Sequence, residues 1–248
     1  MAKIELVKFA ATGGVSCFYA GVNAAYGDLS KVKKTQWRKI NPDFLALLDT
    51  CVKEIAWMTF PYMGELHAIV SGGAYVPKAG HHGKGKAYDL GGLHWRTFHG
   101  HSPQSLSLID LAREYHRKNN NEPLAWQDDY LLYLSIEAVI RKHFGTVLGI
   151  HYNKAHWNHW HIDAGTPVGY RSTGFGSNTR VTFVQAVLKA KRFYEGDLDG
   201  DCGPKTKKAI RMVCSHYGLV KPLSNKHTWM QFLTLVAMDL MQKREGLV

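Results

Sequence analysis

The chain has 248 residues, 45% hydrophobic and 21% charged, a globular balance that excludes disordered and fibrous classes. That length holds one domain of ordinary size plus a small one. Thirty-one Lys and Arg against 20 Asp and Glu give a formal charge of +11, which favours polyanionic partners: nucleic acid, anionic lipid or bacterial wall polymers.

In chain order, residues 3–10 read as a short strand, followed by a Gly-rich loop with aromatics through Tyr26. Glu5 and Lys8 interrupt the basic-then-apolar order of a secretory signal, so no export address is expected. Asn41-Pro42-Asp43 opens a helix with an N-cap, a first-turn proline and an acid at the positive dipole end. Phe44, Leu47, Leu48, Cys51, Val52 and Ile55 recur at three and four and predict its buried face. Residues 66–71 resemble a strand. Residues 107–118 and 128–143 read as helices, the second closed by Gly145 and given an apolar face by Leu132, Ile136, Val139 and Ile140. A strand is expected around 146–150. Residues 166–179, rich in Gly, Ser and Thr, read as a linker, and three further helices follow near 181–193, 204–216 and 227–241. The expected division is therefore 1–168, a linker at 169–179, and a small three-helix domain at 180–248. No apolar run reaches the length of a membrane span. Cys17, Cys51, Cys202 and Cys214 show no Cys-x-x-Cys spacing, which argues against a zinc ribbon and a disulfide scaffold. Free thiols are expected, with a Cys202–Cys214 pair left open for an oxidising exterior.

Two stretches carry chemistry. The first is His81-His82-Gly83-Lys84-Gly85-Lys86-Ala87-Tyr88-Asp89 and the second His159-Trp160-His161. Zn²⁺ accepts imidazole nitrogen and carboxylate oxygen, and a hydrolytic site keeps a position open for water. His82, Asp89 and His161 meet that need, with Gly83 and Gly85 turning the backbone close to the metal and Ala87 small enough to sit beneath it. In a strand, His159, His161 and Asp163 share one face. His161 would bind the metal while His159, just outside, exchanges protons. His156 and Asn158 are expected to donate hydrogen bonds from the loop 151–158, and Asp163 to orient a histidine. His81 is a further candidate, and His94, His99 and His101 are candidate rim residues.

His82-x-x-Gly85-x-Ala87-x-Asp89 followed by His159-x-His161-x-Asp163-x-Gly165 resembles the zinc peptidases of the D-Ala-D-Ala carboxypeptidase group, related to lysostaphin-type enzymes and the hedgehog fold. The resemblance covers roughly residues 66–165. It implies an α+β domain with an antiparallel sheet and flanking helices, zinc on His82, Asp89 and His161, and His159 as the catalytic histidine. Gly80 stands where the group usually has Ser. Ser71-Gly72-Gly73-Ala74-Tyr75 replaces a Ser-Gly-Tyr-Arg whose Arg grips a substrate carboxylate or polarised carbonyl; Lys78 or Arg96 is expected to substitute. This departure favours internal peptide bonds over a free C-terminus.

The C-terminal text resembles a three-helix peptidoglycan-binding domain in Gln185, Leu188, Tyr194-Glu195-Gly196, Leu198-Asp199-Gly200, Gly203-Pro204-Lys205-Thr206 and Ala209-Ile210, departing at Val213-Cys214. An EF-hand reading of Asp197, Asp199 and Asp201 fails, because Cys202 and Lys208 occupy the positions that need Gly and Glu. The expected function is a monomeric zinc endopeptidase of bacterial peptidoglycan, like a phage endolysin made in the host cytoplasm and acting on the wall after release. The alternatives are a D,D- or L,D-carboxypeptidase of wall maturation and a non-catalytic wall-binding protein. A nucleic-acid binder lacks any reading motif.

Overall fold

The computed structural model describes residues 5–20, 29, 32–34, 38–97, 104–117, 128–173 and 177–247. Of the expected loop through Tyr26, residues 11–20 are described and form two short strands instead, Ala11–Thr12 and Val15–Tyr19; the rest of that stretch and the candidates His99 and His101 lie outside the described residues. The described chain is α+β, with six helices and a mixed sheet, and divides into two compact units.

The first unit comprises residues 1–119 and 143–166. Among the described residues its strands are β1 (Val7–Phe9), β2 (Ala11–Thr12), β3 (Val15–Tyr19), β4 (Lys33–Lys34), β5 (Arg38–Ile40), β6 (Glu65–Gly73), β7 (Ala87–Arg96), β8 (Gln104–Ser107), β9 (Thr146–Leu148) and β10 (Trp160–Asp163). β1 and β5 form a two-stranded ribbon, and the main sheet runs β2-β3-β6-β7-β10-β9, with β4 on β3 and β8 on β7. The sheet is not wholly antiparallel as expected. β3 and β6 pair in parallel from Ser16–Ala68 to Tyr19–Ser71. Parallel neighbours need a long crossover, usually a helix, and α1 (Pro42–Met63) lies between β3 and β6 in the chain.

α1 begins as its sequence requires: Asn41 Oδ1 accepts the Phe44 N–H at 3.1 Å, and Pro42 opens the first turn. Phe44, Leu48, Cys51, Val52 and Ile55 are buried as expected, but Leu47 is 41% exposed. At about 100° per residue, Leu47 sits at the margin of the stripe those five residues define. Thr59 Oγ1 of the same helix accepts the Trp95 indole N–H of β7 at 2.8 Å. β7 is buried along nearly its whole length, which is what a central strand covered on both faces shows. α2 (Leu108–Arg117) follows β8.

The second unit takes up residues 120–142 together with 167–248, so the helix at 128–143 groups with the C-terminal helices and not with the sheet that precedes it. It contains α3 (Asp128–His143, except its last residue), α4 (Ser177–Ala190), α5 (Pro204–His216) and α6 (Lys226–Arg244). α3 has no single apolar face: every residue from Tyr130 to Arg141 is buried, the mark of an enclosed helix. Its polar groups are paired. Ser135 Oγ donates to the Ala237 carbonyl at 2.6 Å, and Arg141 bonds Glu137 at 2.7 Å and the Thr179 carbonyl at 3.1 Å. Gln185, fully buried on α4, holds the Asp197–Asp201 turn through Asp199 Oδ1 (2.7 Å), the Asp201 carbonyl (3.0 Å) and the Gly200 N–H (2.9 Å). That acidic turn is thus braced by an amide from the core. All four cysteines are free thiols. Among the described residues no helix is long and apolar enough to cross a membrane.

Candidate metal centre

Sheet register brings the two chemical stretches together. β7 and β10 pair antiparallel with His161 directly opposite Asp89. Opposed residues of an antiparallel pair project to the same face, so an imidazole and a carboxylate meet although 72 residues separate them. Trp160 and Ile162 point the other way and are fully buried, which fixes the face on which His161 stands.

His82 enters from a separate element, a single 3-10 turn over His82–Lys84. Gly85 closes the turn at φ +64°, a left-handed position, and a Cβ there would lie 2.8 Å from the Asn41 nitrogen. At Gly83 an added Cβ would stand 1.6 Å from the Lys78 carbonyl oxygen. Both glycines therefore serve backbone contacts with neighbouring chain, which hold the turn where His82 can reach the sheet. Ala87, fully buried, begins β7 opposite Asp163.

His82 Nε2, His161 Nδ1 and Asp89 Oδ1 form a triangle: 3.2 Å between the two nitrogens, 3.2 Å from His82 to Asp89 and 2.9 Å from His161 to Asp89. Two donors on a tetrahedral ion with bonds of roughly 2.0–2.1 Å stand about 3.3 Å apart, so the spacing fits a zinc-sized ion. Tautomers fit as well. A carbonyl only accepts, so the 2.5 Å contact to Ala74 O makes His82 Nδ1 the N–H and leaves Nε2 to face the triangle. His161 Nε2 faces Asp163 Oδ2 at 3.4 Å, which leaves Nδ1 for the centre. Each ligand imidazole is thus oriented through its other nitrogen, as metal-binding histidines are.

Charge follows from these contacts. Burial works against the Asp89 carboxylate, but hydrogen bonds from His161 and His82 hold it well below the usual carboxylate range. Burial likewise opposes a charged His161, and is outweighed by Asp163 and Asp89, which raise it to about 9. Asp163, despite burial, is lowered by His161 and by the Gly165 N–H, which it accepts at 2.6 Å.

His159 stands next to the triangle, its Nε2 3.6 Å from Asp89 Oδ1. Asn158, buried beside it, accepts from His159 Nδ1 at 2.8 Å and so directs Nε2 toward the centre. Burial lowers the His159 pKa, only partly offset by Asp89, and keeps this ring neutral at neutral pH. His156 lies 5.6 Å from His159 and 5.5 Å from His161 between ring centroids, anchored by Nδ1 to Asn153 Oδ1 at 2.8 Å. Burial and then the neighbouring histidine charges lower it to about 4. Against protein-family models, curated proteins and solved structures, the chain matches none.

The structure thus gathers His82, Asp89, His161, His159, His156, Asn158 and Asp163. One expected substrate residue stands apart: Arg96 is seven residues along β7 from Asp89, about 23 Å at the strand rise. Lys78 is exposed, and its backbone carbonyl packs on the His82 turn, at Gly83. His94, buried, is five positions along β7 from Asp89, so it is no rim residue. His81 packs over Gly165, where an added Cβ would come within 2.5 Å of its Nε2. The Ala74 carbonyl and Asn153 are contributors that no residue pattern marked, since one is a backbone group and the other works through loop geometry.

Proposed function

We propose that this chain is a zinc-dependent peptidase of bacterial peptidoglycan, cutting within stem peptides or cross-bridges. The carrying observation is the triangle of His82, Asp89 and His161, with donor spacings of 2.9–3.2 Å and a neutral His159 beside it. Zinc held there supplies a Lewis acid that polarises a carbonyl and acidifies a water. His159 Nε2 takes the proton of the attacking water and returns it to the departing amine. Asn158 keeps that ring in the tautomer with Nε2 free, and Asp163 steadies His161. His156, neutral at neutral pH, adds no positive charge to the centre.

The peptidoglycan assignment rests on the resemblance of the two motifs to D-Ala-D-Ala carboxypeptidase-group enzymes, with their hedgehog-like fold, and of residues 180–248 to a three-helix peptidoglycan-binding domain. A wall-anchoring domain raises local enzyme concentration on an insoluble substrate, and a charge of +11 favours adsorption to anionic wall polymers. An endolysin acting from the cytoplasm after membrane breach is the setting we infer.

The deciding experiment is mass spectrometry of products released from purified peptidoglycan, with chelator-treated protein as control. New amines inside the stem or cross-bridge, abolished by chelation and restored by zinc, are expected. Release of single D-alanine would make the protein a carboxypeptidase instead. Wall binding by zinc-replete protein with no new product would reduce it to an anchor.

A further inference from the structure

Charge in the second unit is segregated along the chain. Between Asp201 and Asp239 there is no acidic residue, while Lys205, Lys207, Lys208, Arg211, Lys221 and Lys226 all lie there. All of these cations are exposed. The first four stand on α5, whose Thr206, Ala209, Val213 and Cys214 are buried. At about 100° per residue they occupy an arc of about 160° on the opposite side, and from Lys205 to Arg211 they cover about 9 Å of helix.

This arrangement opposes the helix that carries it. Lys205 and Lys207 stand in the first turn, where the dipole favours acids, and α5 has no acid there. Lys205 and Lys208, Lys208 and Arg211, and Lys207 and Arg211 are like-charge neighbours at three and four residues, and each such pair destabilises a helix. Among the described residues no carboxylate pairs with any of the four. Asp199 is engaged by Gln185 and the Asp201 N–H, and Asp239 by Tyr217 and Lys191. Exposed positions that break the rules of helix stability with no gain inside the fold mark a surface kept for a partner.

The chemistry of that partner follows from the side chains. Lysine is a compact point charge on a flexible stem, without the planar fork that selects a carboxylate in one orientation. A row of such charges suits phosphates repeated along a flexible chain. Residues 204–227 expose no Phe, Tyr or Trp, the rings on which single-stranded nucleic acids stack. The exposed Met212 and Val220 do not form the apolar stripe of a membrane-surface helix, since Val220 lies beyond the end of α5. What this face offers is attraction to a polyanion without bases or acyl chains.

We propose that the α5 face of Lys205, Lys207, Lys208 and Arg211 docks a phosphodiester-linked polyol polymer of the bacterial wall. The wall setting rests on the peptidoglycan reading above, and this partner differs from the peptide cut at the metal centre.

The test uses the full-length zinc-loaded protein with soluble poly(glycerol phosphate), and binding is measured by calorimetry across a salt series. Lys207→Gln/Lys208→Gln/Arg211→Gln should bind about 10- to 50-fold more weakly at about 0.15 M salt and flatten the slope of log K against log salt by about 2, the counterion release of three lost phosphate contacts. Its melting temperature should not fall, because the charges removed repel one another; a fall would make these cations structural and overturn the proposal. Lys8→Gln/Lys39→Gln/Lys53→Gln removes equal charge from exposed positions of the first unit and should leave binding near native. An equal loss in this second variant, or no binding by the native protein, overturns the proposal. Tighter native binding to single-stranded DNA of matched phosphate count, or to phosphatidylglycerol vesicles, would give the face to nucleic acid or membrane and overturn it too. Peptidoglycan stripped of phosphodiester polymer by hydrofluoric acid separates this proposal from the peptidase reading, and the native protein and the α5 variant should cut it equally. Cleavage lost in the α5 variant alone would give the face to peptidoglycan itself and sink the proposal. Absence of cleavage in both, with polymer binding intact, would count against the peptidase and leave the docking face standing.

Discussion

At the scale of single residues, the metal centre is a problem of proton placement. His161 shares Asp89 Oδ1 at 2.9 Å and faces Asp163 Oδ2 at 3.4 Å, so without metal it holds two protons and a pKa of about 9. The linkage sign follows. A pKa raised above the unfolded value contributes stability that is full below the unfolded imidazole pKa of 6.5 and is lost as pH rises toward about 9. Zinc must displace the Nδ1 proton, so binding at pH 7 should release about one proton and tighten as pH rises toward 9. Calorimetry in buffers of different ionisation enthalpy reads this directly; zinc uptake with no proton release at pH 7 would contradict the assignment of His161 as a ligand. His159 makes the opposite case. It is neutral because burial lowers its pKa, so the acid limb of turnover should lie below pH 6.5. His159→Ala should keep its zinc and lose at least ~100-fold in turnover, the scale of acid–base assistance. His82→Ala, by contrast, should fail to retain the metal, and unchanged zinc content would remove His82 from the ligand set.

At the scale of elements, the centre depends on one short turn against one strand pair. An added methyl at Gly83 would overlap the Lys78 carbonyl at 1.6 Å, backbone against backbone, with no side-chain rotation to relieve it. Gly83→Ala should lower stability by at least about 1–3 kcal/mol, as overpacking does, and weaken zinc retention, because the turn carries His82. Urea unfolding with parallel metal analysis checks both, and an unshifted midpoint would show that the turn has room the structure does not give it. Much of this level was legible in the residues. Asn41-Pro42 marked the start of α1 because capping is local chemistry, and the alternation at 159–163 placed His161 and Asp163 on one face because strand period is fixed. What sequence left hidden is set by pairing between distant strands. The parallel β3–β6 ladder carries Tyr19 beside Gly73, and the Lys39–Tyr75 bond brings β5 alongside. No spacing in the sequence announces either contact, whereas Arg96 is near the motifs in sequence alone. Arg96 shows why that fails: along an extended strand, seven residues carry a side chain some 23 Å away.

For the whole molecule, the informative element is α3. Local pattern assigned it to the region before the 166–179 linker, with one apolar face, yet it groups with the C-terminal helices and is buried on all sides. The reason lies in partners that are remote in sequence. Ser135 hydroxyl meets the Ala237 carbonyl of α6 across 102 residues, and Arg141 reaches the Thr179 carbonyl and lies 4.9 Å from the Phe183 ring centroid on α4. A fragment limited to residues 180–248 would lose these contacts and expose the apolar side chains of α4 and α6 that α3 covers. Buried apolar area is the main favourable term for so small a unit, and domains of 60–70 residues have little stability to spare. The fragment should therefore melt at least about 10 °C below the same unit in the intact chain and bind a hydrophobic dye, the signature of exposed apolar surface. Within the full-length protein, Glu137→Ala should destabilise this unit by about 3–5 kcal/mol, because it leaves the Arg141 charge buried without its 2.7 Å partner. A fragment 180–248 that melts cooperatively at the temperature of the intact unit, together with a neutral Glu137→Ala, would mean that α4–α6 form a self-sufficient three-helix domain and that α3 only rests on it.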